Sequence, residues 1–206
     1  MFYRRNRTAK AYDLHRANYT VLDTETTGFE PGKDRILSIG LVKMQNGKIL
    51  LKSALELFIQ YEGNLGHSPT IHGITMNALE GGMPAEEALR HTLDFIGTDT
   101  VVAHYASFDR RMLEELARMY NVPWPELRWL DTMDVEVGLN PSAHRQAHLL
   151  KLDQLLADYQ IPALDRHTAL GDAYATARVL QKQLALCRTQ GIQYSSSLQP
   201  PRTGLL

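Results

Sequence analysis

VLDTETTG, residues 21–28, is the stretch on which the reading of this chain turns. A short apolar run ends in two acids, Asp23 and Glu25, one residue apart, and then in Thr26, Thr27 and Gly28. Side chains two apart on a strand share a face. If the strand continues through position 25, both carboxylates project together from the end of a buried element. Unpaired charge is expensive there, so the pair needs a reason.

Outward from this stretch, alternating patterns supply the rest of a fold. YTVLD (19–23) is a short strand. RILSIGLVKM (35–44) and KILLKSALELFI (48–59) flank Asn46-Gly47, a dipeptide suited to a type I′ hairpin turn. The first strand thus joins a three-stranded meander. Residues 66–75 read as loop and helix start. Helical period begins near Pro84 and runs to Ile96. TVVAH (100–104) is a buried strand, and the helix 107–120 follows it with Ser107 as the expected N-cap. RWLDT (128–132) is another strand, and residues 148–159 and 168–187 are helical. A meander followed by alternating strands and helices predicts an α/β domain with a mixed sheet. The expected organisation is a basic arm at 1–18, one domain at 19–190, and a Ser/Pro-rich disordered tail at 191–206.

Composition narrows the function classes. The chain has 206 residues, 44% hydrophobic and 22% charged, enough for one sizeable core. A net charge of −1 gives no global basic field, so a polyanion must be held by a local patch or by metal ions. The single cysteine, Cys187, excludes an internal disulfide and suits a reducing compartment such as the cytoplasm. No apolar run reaches the ~18 residues of a membrane span. The basic, acid-free N-terminus reads as a flexible arm in preference to a transit peptide.

Two further acids stand out. Asp109 has Met112, Leu113, Leu116 and Tyr120 as helical neighbours, and Asp172 has Thr176, Val179, Leu180, Leu184 and Cys187. Each therefore lies on an apolar stripe near one end of its helix, which favours a place toward the core over the alternative of a solvated surface charge. Two carboxylates about 4 Å apart repel by roughly 4 kcal/mol at an effective dielectric of 20. A cluster of them would offset much of a domain's ~5–15 kcal/mol of stability. Such a cluster needs protons or cations, and all-oxygen ligands favour Mg²⁺ or Mn²⁺. Two such ions suit phosphodiester chemistry.

DTETTG (23–28), HYASFD (104–109) and HTALGD (167–172) resemble, in order, the three motifs of the DnaQ-like (DEDDh) 3′–5′ exonucleases, among them the proofreading epsilon subunit of DNA polymerase III and its stand-alone relatives. IHGIT (71–75) and LKLDQL (150–155) resemble lesser family segments, and the likeness runs from about Tyr19 to Cys187. The resemblance implies a ribonuclease-H-like fold, a mixed five-stranded sheet flanked by helices. It implies two Mg²⁺ or Mn²⁺ ions per site, with Asp23 bridging both, Glu25 and Asp172 completing one, and Asp109 holding the other. His167 is implied as the general base, a role suited to an imidazole that titrates near neutrality. Thr26, Thr27, Ile71, His72 and Phe108 are implied to cradle the 3′-terminal nucleotide. One departure is Tyr105, where many relatives have Asn; it either fills space or contacts a base.

Other candidates read more plainly. His144 and His148 are four apart, but Arg145 stands where a metalloprotease needs Glu. His104 and Asp131 at strand ends read as structural, and Trp124 and Trp129 as core or rim. Arg4, Arg5, Arg7 and Lys10, like Arg110 and Arg111, are either solvated or touch a phosphate backbone. The expected activity is metal-dependent 3′–5′ exonucleolysis of DNA. The alternatives are a 3′–5′ exoribonuclease, the 2′-hydroxyl being read elsewhere in the pocket, and a non-catalytic module that binds nucleic-acid ends. Expected partners are single-stranded DNA or RNA 3′ ends, with a DNA polymerase or a second copy as protein partner, and no membrane.

Overall fold

The central strand β1 (Tyr19–Thr26) runs three residues beyond Asp23, so Asp23 and Glu25 do share one strand. The structure, a computed structural model, describes residues 11–63, 65, 73–141 and 150–198. β2 (Ile36–Gln45) and β3 (Lys48–Phe58) form the expected hairpin, with Asn46 and Gly47 at φ 50° and 71°. Positive φ at both positions is what a type I′ turn requires. β4 (Thr100–Ala103) and β5 (Trp129–Asp131) complete a sheet of order β3-β2-β1-β4-β5. β1, β2 and β3 pair antiparallel, while β4 lies parallel to both β1 and β5.

Alternation along β1 divides the core into two layers. Leu22 faces one side with Ile39, Leu41, Val101 and Ala103. There α2 (Ala85–Ile96) and α3 (Ala106–Met119) cover the sheet. Val21 faces the other side with Val42, Met44 and Val102. There the long helix α6 (Ala169–Thr189) lies across β1 and β2 through Ala177, Leu180, Leu184 and Cys187. α4 (Thr132–Leu139) flanks α6, and α5 (Leu152–Asp158) packs behind it through Leu152, Leu155 and Leu156. The short helix α1 (Met76–Glu80) adds Leu79 to a small cluster with Leu37 and Ile74.

Several expectations need correction. Helix α3 starts at Ala106, not after Ser107. Its N-cap is Tyr105, left-handed at φ 62° and ψ 47°, and Asp131 supplies the carboxylate that receives the first N–H groups. Helix α4 has no sequence forecast; only eight residues long, it shows no sustained period and depends on its cap at Asp131. The arm and tail are not both free. Leu14 is fully buried, its N–H donates to the Gln193 carbonyl at 2.9 Å, and Ser195 donates back to Tyr12 at 3.0 Å. A 3₁₀ turn, Ser195–Leu198, seats Leu198 in the core layer beneath α4. Residues 11–18 and 191–198 thus extend the domain, while Arg4, Arg5, Arg7, Lys10 and residues 199–206 lie outside the described residues. Among the described residues, no helix is long and apolar enough to cross a membrane.

Candidate active site

Asp23, Glu25 and Asp172 each offer an oxygen such that all three lie within 4.8 Å of one another. Two local features bring this about. Asp23 and Glu25 fall on the α6 side of β1, by the same parity as Val21. Gly40, paired with Asp23 across the β1–β2 ladder, lets the first turn of α6 touch the sheet. A Cβ at position 40 would sit only 2.1–2.3 Å from backbone atoms of Ala169 and Leu170. Asp172, in that first turn, is thereby lowered onto the two strand acids. Glu56, next in register on β3, receives the backbone N–H of Leu170 and adds negative charge near Glu25.

Asp109 approaches from the other layer. It is 2% exposed, and its Oδ1 receives the hydroxyl of Thr24 at 2.8 Å, so the residue between the two strand acids holds the fourth. Asp109 is not one of the three whose oxygens converge within 4.8 Å. Its charge is nevertheless felt by both strand acids. Desolvation, then Asp109 and Glu25, push the Asp23 carboxyl well above its usual range. Desolvation and Asp109 raise Glu25 to about 7, and desolvation raises Asp109 itself to about 7 against the pull of Thr24. Arg166 offsets Asp23 and Glu25 only in part, so these acids resist ionisation together for want of further positive charge. Buried carboxylate oxygens in this number fit a hard divalent cation.

The segment before α6 carries His167, which is exposed and left-handed at φ 63°. Its backbone N–H points to Asp172 Oδ1 at 3.3 Å. Thr168 caps the helix by accepting from Gly171 at 3.0 Å, and its hydroxyl donates to the Asp165 carbonyl at 2.8 Å. The carbonyl of Asp165 lies so close that a Cβ at Gly171 would meet it at 1.9 Å. The loop is thus folded down onto the turn that carries Asp172. Arg166 donates from Nη1 to Asp172 and from Nε to Asp153 at 2.8 Å.

On the rim, Phe108 is half-buried, and Phe29, 78% exposed, tilts against it with centroids 6.0 Å apart. Thr26 and Thr27 have their hydroxyl protons engaged locally, with Gly28 and Asp34 respectively, and the Thr27 N–H donates to the Arg35 carbonyl. Tyr105 is 53% exposed, so its ring is not part of the buried core. Ile71, His72, His144 and His148 lie outside the described residues. His104 meets Thr132 Oγ1 at 2.8 Å and the backbone of Leu150. Asp131 receives the N–H groups of Tyr105, Ala106 and Met133 at 2.9–3.1 Å. Both are structural anchors.

With this geometry in hand, the sequence profile described as Exonuclease matches residues 20–180. The chain belongs to the exonuclease family. Curated relatives in the family include the PolC-type DNA polymerase III of Thermotoga petrophila, 31% identical over 92% of this chain and 14% of its own. The PolC-type DNA polymerase III of Bacillus subtilis is likewise 31% identical, over 90% and 13%. The chain therefore spans about one-seventh of the length of these polymerases. Among solved structures, exonuclease X in complex with 5′-overhanging duplex DNA matches with TM-score 0.65 and 25% identity, over 88% of this chain and 99% of that one. The nuclease domain of 3′hExo, a DEDDh family member bound to rAMP, shares the fold at TM-score 0.70 and 15% identity, over 84% and 94%. The exonuclease fold shared with these structures is the ribonuclease-H-like one that the motifs imply.

Within that exonuclease frame, four residues escaped sequence reading. Gly40 and Glu56 are legible only once β1, β2 and β3 are set in register. Phe29 is adjacent to the opening motif, and an apolar ring after TTG, outside any strand, was the available signal. Arg166 was hidden by its neighbour His167.

Proposed function

We propose that this exonuclease removes nucleoside 5′-monophosphates from the 3′ ends of DNA, with two Mg²⁺ or Mn²⁺ ions per site. The observation that carries the reading is the convergence of Asp23, Glu25 and Asp172 within 4.8 Å, with Asp109 brought in through Thr24. Asp23, Glu25 and Asp172 would hold one ion, and Asp23 with Asp109 the other. When bound, such ions polarise the phosphate and stabilise charge on the leaving oxygen. His167 accepts a proton from the attacking water, an assignment supported by its exposure and by its anchorage to Asp172. The P–O3′ bond then breaks, leaving a 3′-hydroxyl on the shortened strand.

Phe29 and Phe108 supply aromatic faces on which the terminal bases stack, and the exposed ring of Tyr105 offers a further base contact. The backbone at Thr26 and Thr27, with Ile71 and His72, completes the cradle. DNA is favoured over RNA because the polymerase relatives are named for DNA synthesis and exonuclease X is seen on DNA. The same relatives support a proofreading role beside a polymerase, and the single buried thiol, Cys187, suits a cytoplasmic setting. The test is release of label from 3′-labelled single-stranded DNA, against RNA of equal sequence. Release should require Mg²⁺ or Mn²⁺, stop with excess chelator, and fall at least ~10³-fold in Asp23→Asn. Undiminished release under chelation, or faster release from RNA, would overturn the respective part of the proposal.

A further inference from the structure

Arg166 spans two environments. Its Nη1 meets Asp172, one of the three converging acids, and its Nε meets Asp153, whose side chain is 68% exposed on α5. The Arg166 side chain itself is only 15% exposed, so its charge is poorly screened by solvent. Its field also offsets the charges of Asp23 and Glu25. Both Nη1 and the His167 N–H aim at the same atom, Asp172 Oδ1.

We propose that Arg166 is a built-in counter-cation that competes with a divalent ion for the carboxylate cluster and yields to it by withdrawing onto Asp153. This rests on the cluster being the metal site. A guanidinium in contact with Asp172 repels a doubly charged ion bound beside it. At about 5 Å, that repulsion is worth roughly a factor of ten in affinity even at the dielectric of water. Asp153 offers the guanidinium a place to go without leaving the loop. Because Arg166 adjoins His167, withdrawal also links metal loading to the backbone that carries the proposed base.

Titration calorimetry with Mn²⁺ on the full chain tests this. Arg166→Gln should bind Mn²⁺ about tenfold more tightly than the unaltered protein, whereas Arg166→Lys, which keeps the charge, should stay within about threefold. In chelator, Arg166→Gln should melt below the unaltered protein, and saturating Mn²⁺ should close that gap. Asp153→Asn should weaken Mn²⁺ binding only where Arg166 is present. Unchanged or weaker binding in Arg166→Gln, equal tightening in Arg166→Lys, or equal weakening by Asp153→Asn in both backgrounds overturns the proposal. Should Arg166→Gln fail to fold, the unaltered protein decides: the NMR cross-peak of the Arg166 Nε–H must move as Mg²⁺ is added, and a static peak through saturation refutes displacement. Asp23→Asn separates the two failures. If it leaves Mn²⁺ affinity intact, the metal-site reading itself falls; if it abolishes binding while Arg166→Gln changes nothing, only the competition falls.

Discussion

At the scale of single residues, the site combines acids that resist ionisation with His167, the proposed base. His167 is exposed, left-handed and tied to Asp172 only through its backbone, so its ring is free of the cluster's own hydrogen bonds. Replacing it with Ala should lower turnover by ~10²–10⁴-fold while leaving Mn²⁺ affinity close to its original value; single-turnover rates beside calorimetry would show this. His104 makes a different prediction. Desolvation, with the Arg166 charge, depresses its pKa to about 4, and its Nδ1 meets Thr132 Oγ1 at 2.8 Å. A base whose folded pKa lies below its unfolded value stabilises the fold fully above about pH 6.5. That contribution, on the order of 3 kcal/mol, is lost as pH falls toward 4. Urea unfolding at several pH values should therefore show His104→Gln gaining stability relative to the unaltered protein as pH falls from about 6.5 to 4. The same comparison removes the background both from Asp13 and Asp153, whose lowered pKa values favour higher pH, and from Glu25, Asp109 and Asp131, whose raised values favour lower pH. Equal slopes in the two proteins would mean that His104 is not held neutral.

At the scale of elements, the acids were legible because each lies where a charge breaks a pattern: the end of an apolar strand for Asp23 and Glu25, an apolar stripe for Asp109 and Asp172. What the pattern could not carry was how close the elements come. The approach of α6 to β2 is set by Gly40, and a missing side chain in a strand is invisible as a contact until the helix is in place. Gly40→Ala should force the first turn of α6 away from the sheet. It should destabilise the protein by about 1–3 kcal/mol and weaken Mn²⁺ binding, because Asp172 moves with that turn. Unaltered affinity in a folded Gly40→Ala protein would show that the turn adapts without moving the acid. Helix starts were mislocated for a related reason. Asp131 caps two helices at once, receiving Tyr105 and Ala106 from α3 and Met133 from α4. A cap supplied from 25 residues away leaves no local signature, so Ser107 looks a better start for α3 than Tyr105; α4 has its cap next to it, but eight residues show no sustained period. Losing one helix cap typically costs 0.5–2 kcal/mol. Asp131→Ala, which strips both, should lower unfolding free energy by about 2–4 kcal/mol in urea titrations.

At the scale of the molecule, the sheet's two layers bring acids from opposite sides to one end of β1, and the chain ends reinforce one of those layers. The order β3-β2-β1-β4-β5 puts β1 at the centre, flanked by β2 and β4, so its end is where α3 and α6 can both deliver a carboxylate. This much follows from a meander joined to alternating strands and helices. The tail does not follow, because its Ser/Pro-rich composition resembles that of a disordered segment and Leu198 stands isolated between polar residues and prolines. Burial of that one side chain decides the matter. Leu198 is 4% exposed, packs with Leu14, Tyr19 and Val135, and lies against Gly138, where a Cβ would meet its Cδ2 at 2.9 Å. The pairing of Leu14 with Gln193 and of Tyr12 with Ser195 fixes both ends of the segment to the same layer. Leu198→Ala should then cost about 2–4 kcal/mol, as for other buried leucines. A solvated tail would give a change within about 0.5 kcal/mol. The urea midpoint should fall with an unchanged slope, since the mutation removes packing without altering the surface exposed on unfolding. Because Leu198 packs beside Tyr19 at the start of β1 and the acids lie toward its other end, Mn²⁺ affinity should hold; a loss of metal binding with little loss of stability would mean that the tail's role lies in the site and not in the core.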